Sequence, residues 1–504
     1  MKRYDEIVVG SGISGMTLAL LLGLNGRSVL LVEKSPRIGG SMARFYRNGI
    51  PFDTGFHFTG GFHRNGILHD MLTVLGIRDL IRPIHLVNDG DNRVVMEAEG
   101  VSYDLPSGYE ATIARTKEYF PSEAPAIERY FEMVKSVCLR TAGMDLRRIG
   151  ASPGRLEEDY LSLDEVLNGL TDNRLLKGLL AGYGMCYGVK PAEISFANHS
   201  RVGYGLYESV SRVEDGGDAF IRAFRERSAE LDIEIRCGRE IAACADVENG
   251  IVGRFVLSDG EEVCCDHCSF TIHPQEILKI LPREHLTRAF VERVGGFEPS
   301  FGVFSVHGVV ESRGVEAGPD EGSAPSILSL FPSSDVDGFM DAGHDGDQAL
   351  VIMRSVENAG GRPCRVVNAC EVAFVERLDA WKGSTTGDRP AGYLEYKEKR
   401  AERIRERIVG AYPEYGHSLK VLDASTPLTL RDHLNSPDGS AYGVKQKIGQ
   451  FNLFGRLRLR NTYAAGQSSL LPGLVGAMMS SFIVGRSIVG REEYGSFLRE
   501  RLGS

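Results

Sequence analysis

A glycine pattern set between two apolar runs constrains this chain more than any other feature. Gly10-Ser11-Gly12-Ile13-Ser14-Gly15 reads GxGxxG, a weak signal alone and a strong one in the right context. Ile7-Val8-Val9 is a short apolar run ending on Gly10, as a buried parallel strand does. Met16 to Leu24 is helical in character, and Ser28 to Val32 is a second buried strand. Strand, glycine turn, helix and strand form the opening βαβ unit of a doubly wound sheet. Gly10 then permits the tight turn, Gly12 lets backbone approach a pyrophosphate, and Gly15 lets helix pack on strand. Ile13 and Ser14 open the helix whose N-terminus attracts phosphate. Glu33 closes the second strand, where an acid accepts hydrogen bonds from ribose hydroxyls and disfavours a 2′-phosphate. Ala19 and Gly26 are small where helix and sheet must approach.

The 504 residues suffice for two or three domains. A second segment of the same type runs from Gly216-Gly217 through a helical pattern over 218–231 to a strand at Ile233-Glu234-Ile235. Strand signals follow at 251–257 and 269–272, and a third segment leads from Thr462 through Gly466 into an apolar helix. These segments predict one discontinuous nucleotide-binding domain, residues 1–81, 206–289 and 421–504. An α+β substrate domain is inserted in two pieces, 82–205 and 290–420. The Gly- and Asp-rich runs 313–324 and 334–347 read as surface loops, and 393–410 as a charged, solvated helix. Asn461 to Gly485 carries no charged residue, but its glycines and Pro472 predict a strand, a turn and a buried helix, not a membrane span. A formal charge of −10 argues against nucleic acid as a partner. Nine cysteines without a regular framework, and an N-terminus with no room for a signal peptide, predict a soluble cytoplasmic protein.

The continuation of the first segment separates FAD from NAD. Ser35-Pro36-Arg37-Ile38-Gly39-Gly40-Ser41, directly after Glu33-Lys34, resembles the RxGG element of FAD enzymes of the amine-oxidase and phytoene-desaturase type. Phe52-Asp53-Thr54-Gly55-Phe56-His57-Phe58 is similar to a segment of the retinol saturase branch of the carotenoid desaturase and isomerase superfamily. So are 425–429, Gly439-Ser440-Ala441-Tyr442-Gly443, Ala465-Gly466-Gln467 and 472–477. The resemblance implies a Rossmann-like FAD-binding domain of the glutathione-reductase and amine-oxidase type, with backbone of the RxGG turn near the pyrophosphate and Arg37 supplying charge. It also implies that Ile241 contacts adenine through backbone and that Gly466 and Gln467 lie at the ribityl and ring end. Leu474, Val475 and Gly476 would stand at the N-terminus of the last helix, where a positive helix end stabilises charge on reduced flavin.

The activity so implied is hydride transfer to one end of a conjugated C=C bond and a proton to the other, with desaturation or cis-trans isomerisation as alternatives on the same scaffold. His57 and Tyr442 are the proton-donor candidates. His57 reads equally as a histidine bonded to backbone beside the cofactor, Tyr442 as an aromatic wall, and Asp53 as a turn or backbone anchor. Neither the histidines at 57, 63 and 69 nor Cys264-Cys265-Asp266-His267-Cys268 has metal-site spacing, so no metal is expected. Without a second glycine fingerprint, electrons must come from a reduced carrier or from NAD(P)H visiting the flavin. An apolar polyene, free or carrier-bound, implies a long tunnel and a surface that docks on a membrane or a carrier, for which the stretch 76–86 is a candidate that reads equally as core. Two rivals are a non-catalytic prenyl or lipid carrier of the GDP-dissociation-inhibitor type and an amine oxidase. The intact cofactor elements speak against the first, and the absence of an evident aromatic cage against the second.

Overall fold

The computed structural model describes residues 1–88, 90–149, 154–311 and 324–503. Strand Lys2–Val9, helix Ile13–Leu24 and strand Val29–Glu33 follow one another, and the two strands pair in parallel, Ile7 opposite Leu30. Strand Val29–Glu33 is buried throughout and the helix over almost its whole length, so both read as continuous apolar runs without alternation. Around this pair the strand order is Ile241–Glu248, Ile251–Leu257, Glu262–Phe270, Lys2–Val9, Val29–Glu33 and Ile233–Cys237. Thr462–Ala464 pairs in parallel with the C-terminal half of Glu262–Phe270. Distant segments thus meet in one sheet. The strand expected at 269–272 is the end of a nine-residue strand. Its first half escapes a hydropathy reading because Glu262, Asp266 and His267 interrupt it.

The uncharged stretch near the C-terminus becomes strand Thr462–Ala464, a turn and helix Gly473–Val489. That helix crosses helix Ile13–Leu24 through a serine contact. Ser481 Oγ donates to the Ser14 carbonyl at 2.8 Å and lies 2.6 Å from Ser14 Oγ. Ser480 Oγ accepts from Gly466 N at 2.7 Å, tying the turn to the helix. It is not the last helix, as the sequence reading has it: Arg491–Leu502 follows, anchored by the fully buried Tyr494. Among the described residues no helix is long and apolar enough to cross a membrane.

A second sheet of seven strands is antiparallel except where Ile327–Phe331 meets Asn92–Met96 in parallel. Strand Leu419–Ser425 forms one edge of it, and helix Phe196–Glu208 runs past residue 206. Both boundaries expected there, at 205/206 and at 420/421, therefore cut through an element. Helix Ala391–Ala411 is charged but not wholly solvated. Tyr393, Ile404, Arg407 and Ile408 are buried, and Arg407 pairs with Glu371 at 3.1 Å and Glu97 at 2.8 Å. The run 334–347 contains a short helix, Val336–Phe339, with both end residues buried. The run 313–324 lies, apart from Ala324, outside the described residues.

Candidate functional site

Two glycine turns far apart in sequence are stacked at the C-terminal ends of the central strands. Gly10 has φ +94°, so the tight turn there requires glycine. At Gly15 a methyl group would sit 1.9 Å from the Gly10 carbonyl, while at Gly12 it would meet nothing within 4 Å. Gly39 N donates to the Ser11 carbonyl at 3.1 Å and to Ser11 Oγ at 3.2 Å, and a methyl on Gly40 would approach Gly12 Cα at 3.2 Å. Helix Ile13–Leu24 has neither a side-chain cap nor an acid in its first turn. Its N–H groups beside Ile13 and Ser14 face open space above Gly12, a cradle of the right chemistry for a phosphate.

Glu33 braces this loop. Its Oε2 accepts from Ser11 N at 2.8 Å and Ser11 Oγ at 2.5 Å, and its Oε1 from Ser35 N at 2.8 Å. Lys34 turns outward to Glu240 at 3.1 Å, Arg37 is exposed, and Ser41 is exposed beside Gly55. Ile241 is buried at the start of its strand, and Arg239 N donates to the Glu33 carbonyl at 3.0 Å, bringing that segment to the same corner. Gly26 differs from expectation. A methyl there would touch nothing, and its φ of +74° is what requires glycine after the helix. Close approach to a strand falls instead on Gly23, whose added methyl would lie 3.0 Å from Ile233 Cδ1.

A cavity of about 720 Å³ lies beyond the second glycine turn, reached through Gly55, which packs on Ser41. His57, Phe58, Tyr442, Leu474, Val475 and Gly476 are among the residues that line it. Gly466, φ +116°, and Gln467, whose carbonyl accepts from Gln446 Nε2 at 3.3 Å, form the turn leading to residues 474–476. Helix Gly473–Val489 likewise begins without a side-chain cap or an acid in its first turn. Further walls come from 138–148 and 201–208, which carry no motif and which the sequence reading left unassigned.

His57 Nδ1 faces Asp53 Oδ2 at 3.7 Å, and its Nε2 lies 3.7 Å from Cys370 Sγ. Burial disfavours a charged imidazole here, but the Cys370 thiol and the Asp53 carboxylate outweigh it and raise the imidazole to about 10. Asp53 is not the turn or backbone anchor that the sequence suggests. It is 2% exposed and lies within 3.0 Å of Arg44 Nε and 3.8 Å of Arg212 Nη2, while Glu357 lies 2.6 Å from Arg44 and 3.1 Å from Arg212. Burial opposes ionisation of Asp53, yet His57, Arg44 and Arg212 hold its carboxyl below the ordinary value. Tyr442 donates from Oη to the Met185 carbonyl at 2.9 Å, and burial pushes its phenol well above the usual range. Cys370, Arg44 and Arg212 escaped the sequence reading because nothing local marks them.

In the stretch 76–86, Ile77 and Ile81 are core, whereas Leu80 and Ile84 are exposed, as is Val87 just beyond it. Among the described residues no group of three or more His, Cys, Asp or Glu is arranged to hold a metal ion. Cys265 and Cys268 lie in the core of the first sheet.

Residues 8–75 match the family model of the NAD(P)-binding Rossmann-like domain. The chain is 24% identical over 543 residues to the all-trans-retinol 13,14-reductase of Danio rerio, covering 97% of this chain and 86% of that one. Over 130 residues it is 32% identical to prolycopene isomerase 2 of an Oncidium hybrid cultivar, 26% of this chain and 22% of that one. Among solved structures, a putrescine oxidase redesigned in its cofactor binding superposes with a TM-score of 0.63 at 14% identity, covering 96% of this chain and 98% of its own. At that identity the likeness is one of fold.

Proposed function

The chain is a member of the superfamily of retinol saturases, carotenoid isomerases and phytoene desaturases, and from that premise we propose that it is an FAD-dependent oxidoreductase reducing a C=C bond of a conjugated polyene. The observation that carries the reading is the cavity lined by His57, Phe56 and Phe58 together with the start of helix Gly473–Val489, whose lining residue Gly55 packs on Ser41 at the end of the second glycine turn. FAD, when bound, supplies hydride chemistry at its ring. The helix Ile13–Leu24 N-terminus, Gly12 and Gly40 would hold its pyrophosphate, Glu33 its ribose, and Ile241 backbone its adenine. Residues 466–476 would stand at the ring end, where an uncapped helix N-terminus favours negative charge.

Of the two proton-donor candidates the surroundings favour His57, which lines the cavity and is held charged between Asp53 and Cys370. Tyr442, with its hydroxyl committed to a backbone carbonyl, suits a wall of the substrate channel. The electron donor in this reading is NAD(P)H or a reduced carrier protein reaching the ring directly. Leu80, Ile84 and Val87, beside Arg78 and Arg82, are the surface suited to touch a membrane that holds an apolar substrate. Similarity to a prolycopene isomerase keeps isomerisation as the second reading.

The test is to purify the protein, record its visible spectrum, reduce it anaerobically and add a retinoid or carotenoid polyene. Reoxidation of flavin with matching loss of polyene absorbance is the expected result. A change of polyene geometry with flavin still reduced would replace reduction by isomerisation. A colourless protein that takes up no FAD would leave a lipid carrier.

A further inference from the structure

Cys370 lies on strand Arg362–Ala373, directly opposite Ser305 of strand Gly302–Val310. Its sulfur is 3.4 Å from Ser305 Oγ and 3.7 Å from His57 Nε2. The other ring nitrogen of His57 faces Asp53, so imidazole, thiol and carboxylate stand in a row from the second sheet to the segment after the glycine turns. We infer that Cys370, His57 and Asp53 work as one proton store beside the cavity, in which the Cys370 thiolate is the counter-ion that keeps His57 charged. This rests on the reading of C=C reduction above.

Charge balance supports it. The pair is joined through Asp53 to an ion cluster of Asp53, Glu357, Arg44 and Arg212, two of each sign, with the half-buried Asp218 acting on Arg44 from its edge. His307, the other histidine nearby, is bonded to Asn368 at 2.8 Å and is pushed down to about 4 by burial, hence neutral. The Tyr442 phenol is neutral as well. A charged His57 has as its carboxylate partner only Asp53, which is shared with the two guanidinium groups, and an incompletely compensated buried charge is costly. A thiolate at Cys370 removes that cost, and the thiol is correspondingly lowered, His57 outweighing its burial. When the pair acts, one proton leaves it for the substrate carbon, and thiolate and neutral imidazole remain. The hydride and its electron pair are the cofactor's contribution, and a proton from water restores the pair. Cys370 acts through His57 and is a positioning residue.

Two measurements on the holoprotein test this. First, carbamidomethylation of Cys370 by iodoacetamide is followed by peptide mass spectrometry against pH, in wild type and His57→Gln. Where the reagent does not reach the sulfur, the ultraviolet thiolate absorbance of wild type minus Cys370→Ser is titrated instead. A thiolate midpoint at least about one pH unit lower in wild type than in His57→Gln, hence about tenfold faster alkylation below both midpoints, is expected. Equal midpoints would overturn the inference. Second, the pH profile of polyene reaction with the reduced enzyme is compared in wild type and Cys370→Ser. Serine keeps the size and hydrogen bonding but stays neutral, so the alkaline limb should move down by about one unit or more. An unchanged profile would mean that the residue is only structural. If wild type does not react with polyenes at all, the functional reading fails while the first measurement still decides the ion pair.

Discussion

At Gly12 a methyl group would meet nothing, and at Gly15 it would strike the Gly10 carbonyl. Two substitutions of identical chemistry therefore separate folding from binding. Gly12 has φ −62°, which alanine adopts freely, so Gly12→Ala should fold with the melting temperature of FAD-free wild type yet fail to take up FAD, its methyl occupying the space meant for pyrophosphate. Gly15→Ala should fail to fold or melt far lower. Retained flavin in Gly12→Ala, read from the visible spectrum, would move the phosphate site elsewhere. His57 is a different kind of residue: Asp53, four positions away, reads locally as a turn anchor and not as its partner, and Cys370 is 313 residues off, beyond any local pattern.

The central element contact is the crossing of helices Ile13–Leu24 and Gly473–Val489. Both are apolar almost all round, so the hydrophobic effect holds them together without fixing their register. Register comes from the buried serines, and Ser480 also satisfies the Gly466 N–H. Ser480→Ala leaves that buried donor without its acceptor and should cost about 1–3 kcal/mol, seen as a lower urea midpoint with an unchanged slope. The exposed Ser487 on the same helix, bonded only to the Ile483 carbonyl, is the control. Its alanine variant should stay within about 0.5 kcal/mol of wild type.

Across the whole molecule, Asp53, Arg44, Arg212 and Glu357 join the segment after the glycine turns to the second sheet. Asp53→Asn leaves two buried guanidinium groups short of a counter-ion and should cost about 3–5 kcal/mol, a loss that chemical denaturation would register directly. Acid sensitivity has a separate source. His199 is fully buried between the hydroxyls of Tyr130, at 2.6 Å, and Tyr187, at 2.9 Å, and burial lowers its imidazole to about 3. Between that value and the ordinary 6.5 the unfolded chain binds a proton that the fold refuses. Stability contributed by this group therefore rises with pH across the window and is lost on acidification, by up to about 1.4 kcal/mol per pH unit. Urea midpoints at about pH 5 and about pH 7 should differ less in His199→Gln than in wild type; an equal difference would assign the acid sensitivity to other groups.

Elements whose instructions are local can be read from the chain alone. The βαβ unit, the positive-φ glycines at 10 and 39, the RxGG turn and the buried C-terminal helix are each written in a few adjacent residues, because strand burial and backbone conformation are short-range matters. The surroundings of the cavity, by contrast, are set by the tertiary fold. The cavity walls at 138–148 and 201–208, the ion cluster around Asp53 and the sulfur beside His57 come from segments hundreds of residues apart. Electrostatic pairing and cavity shape depend on distance in space, and no pattern along the chain encodes that distance.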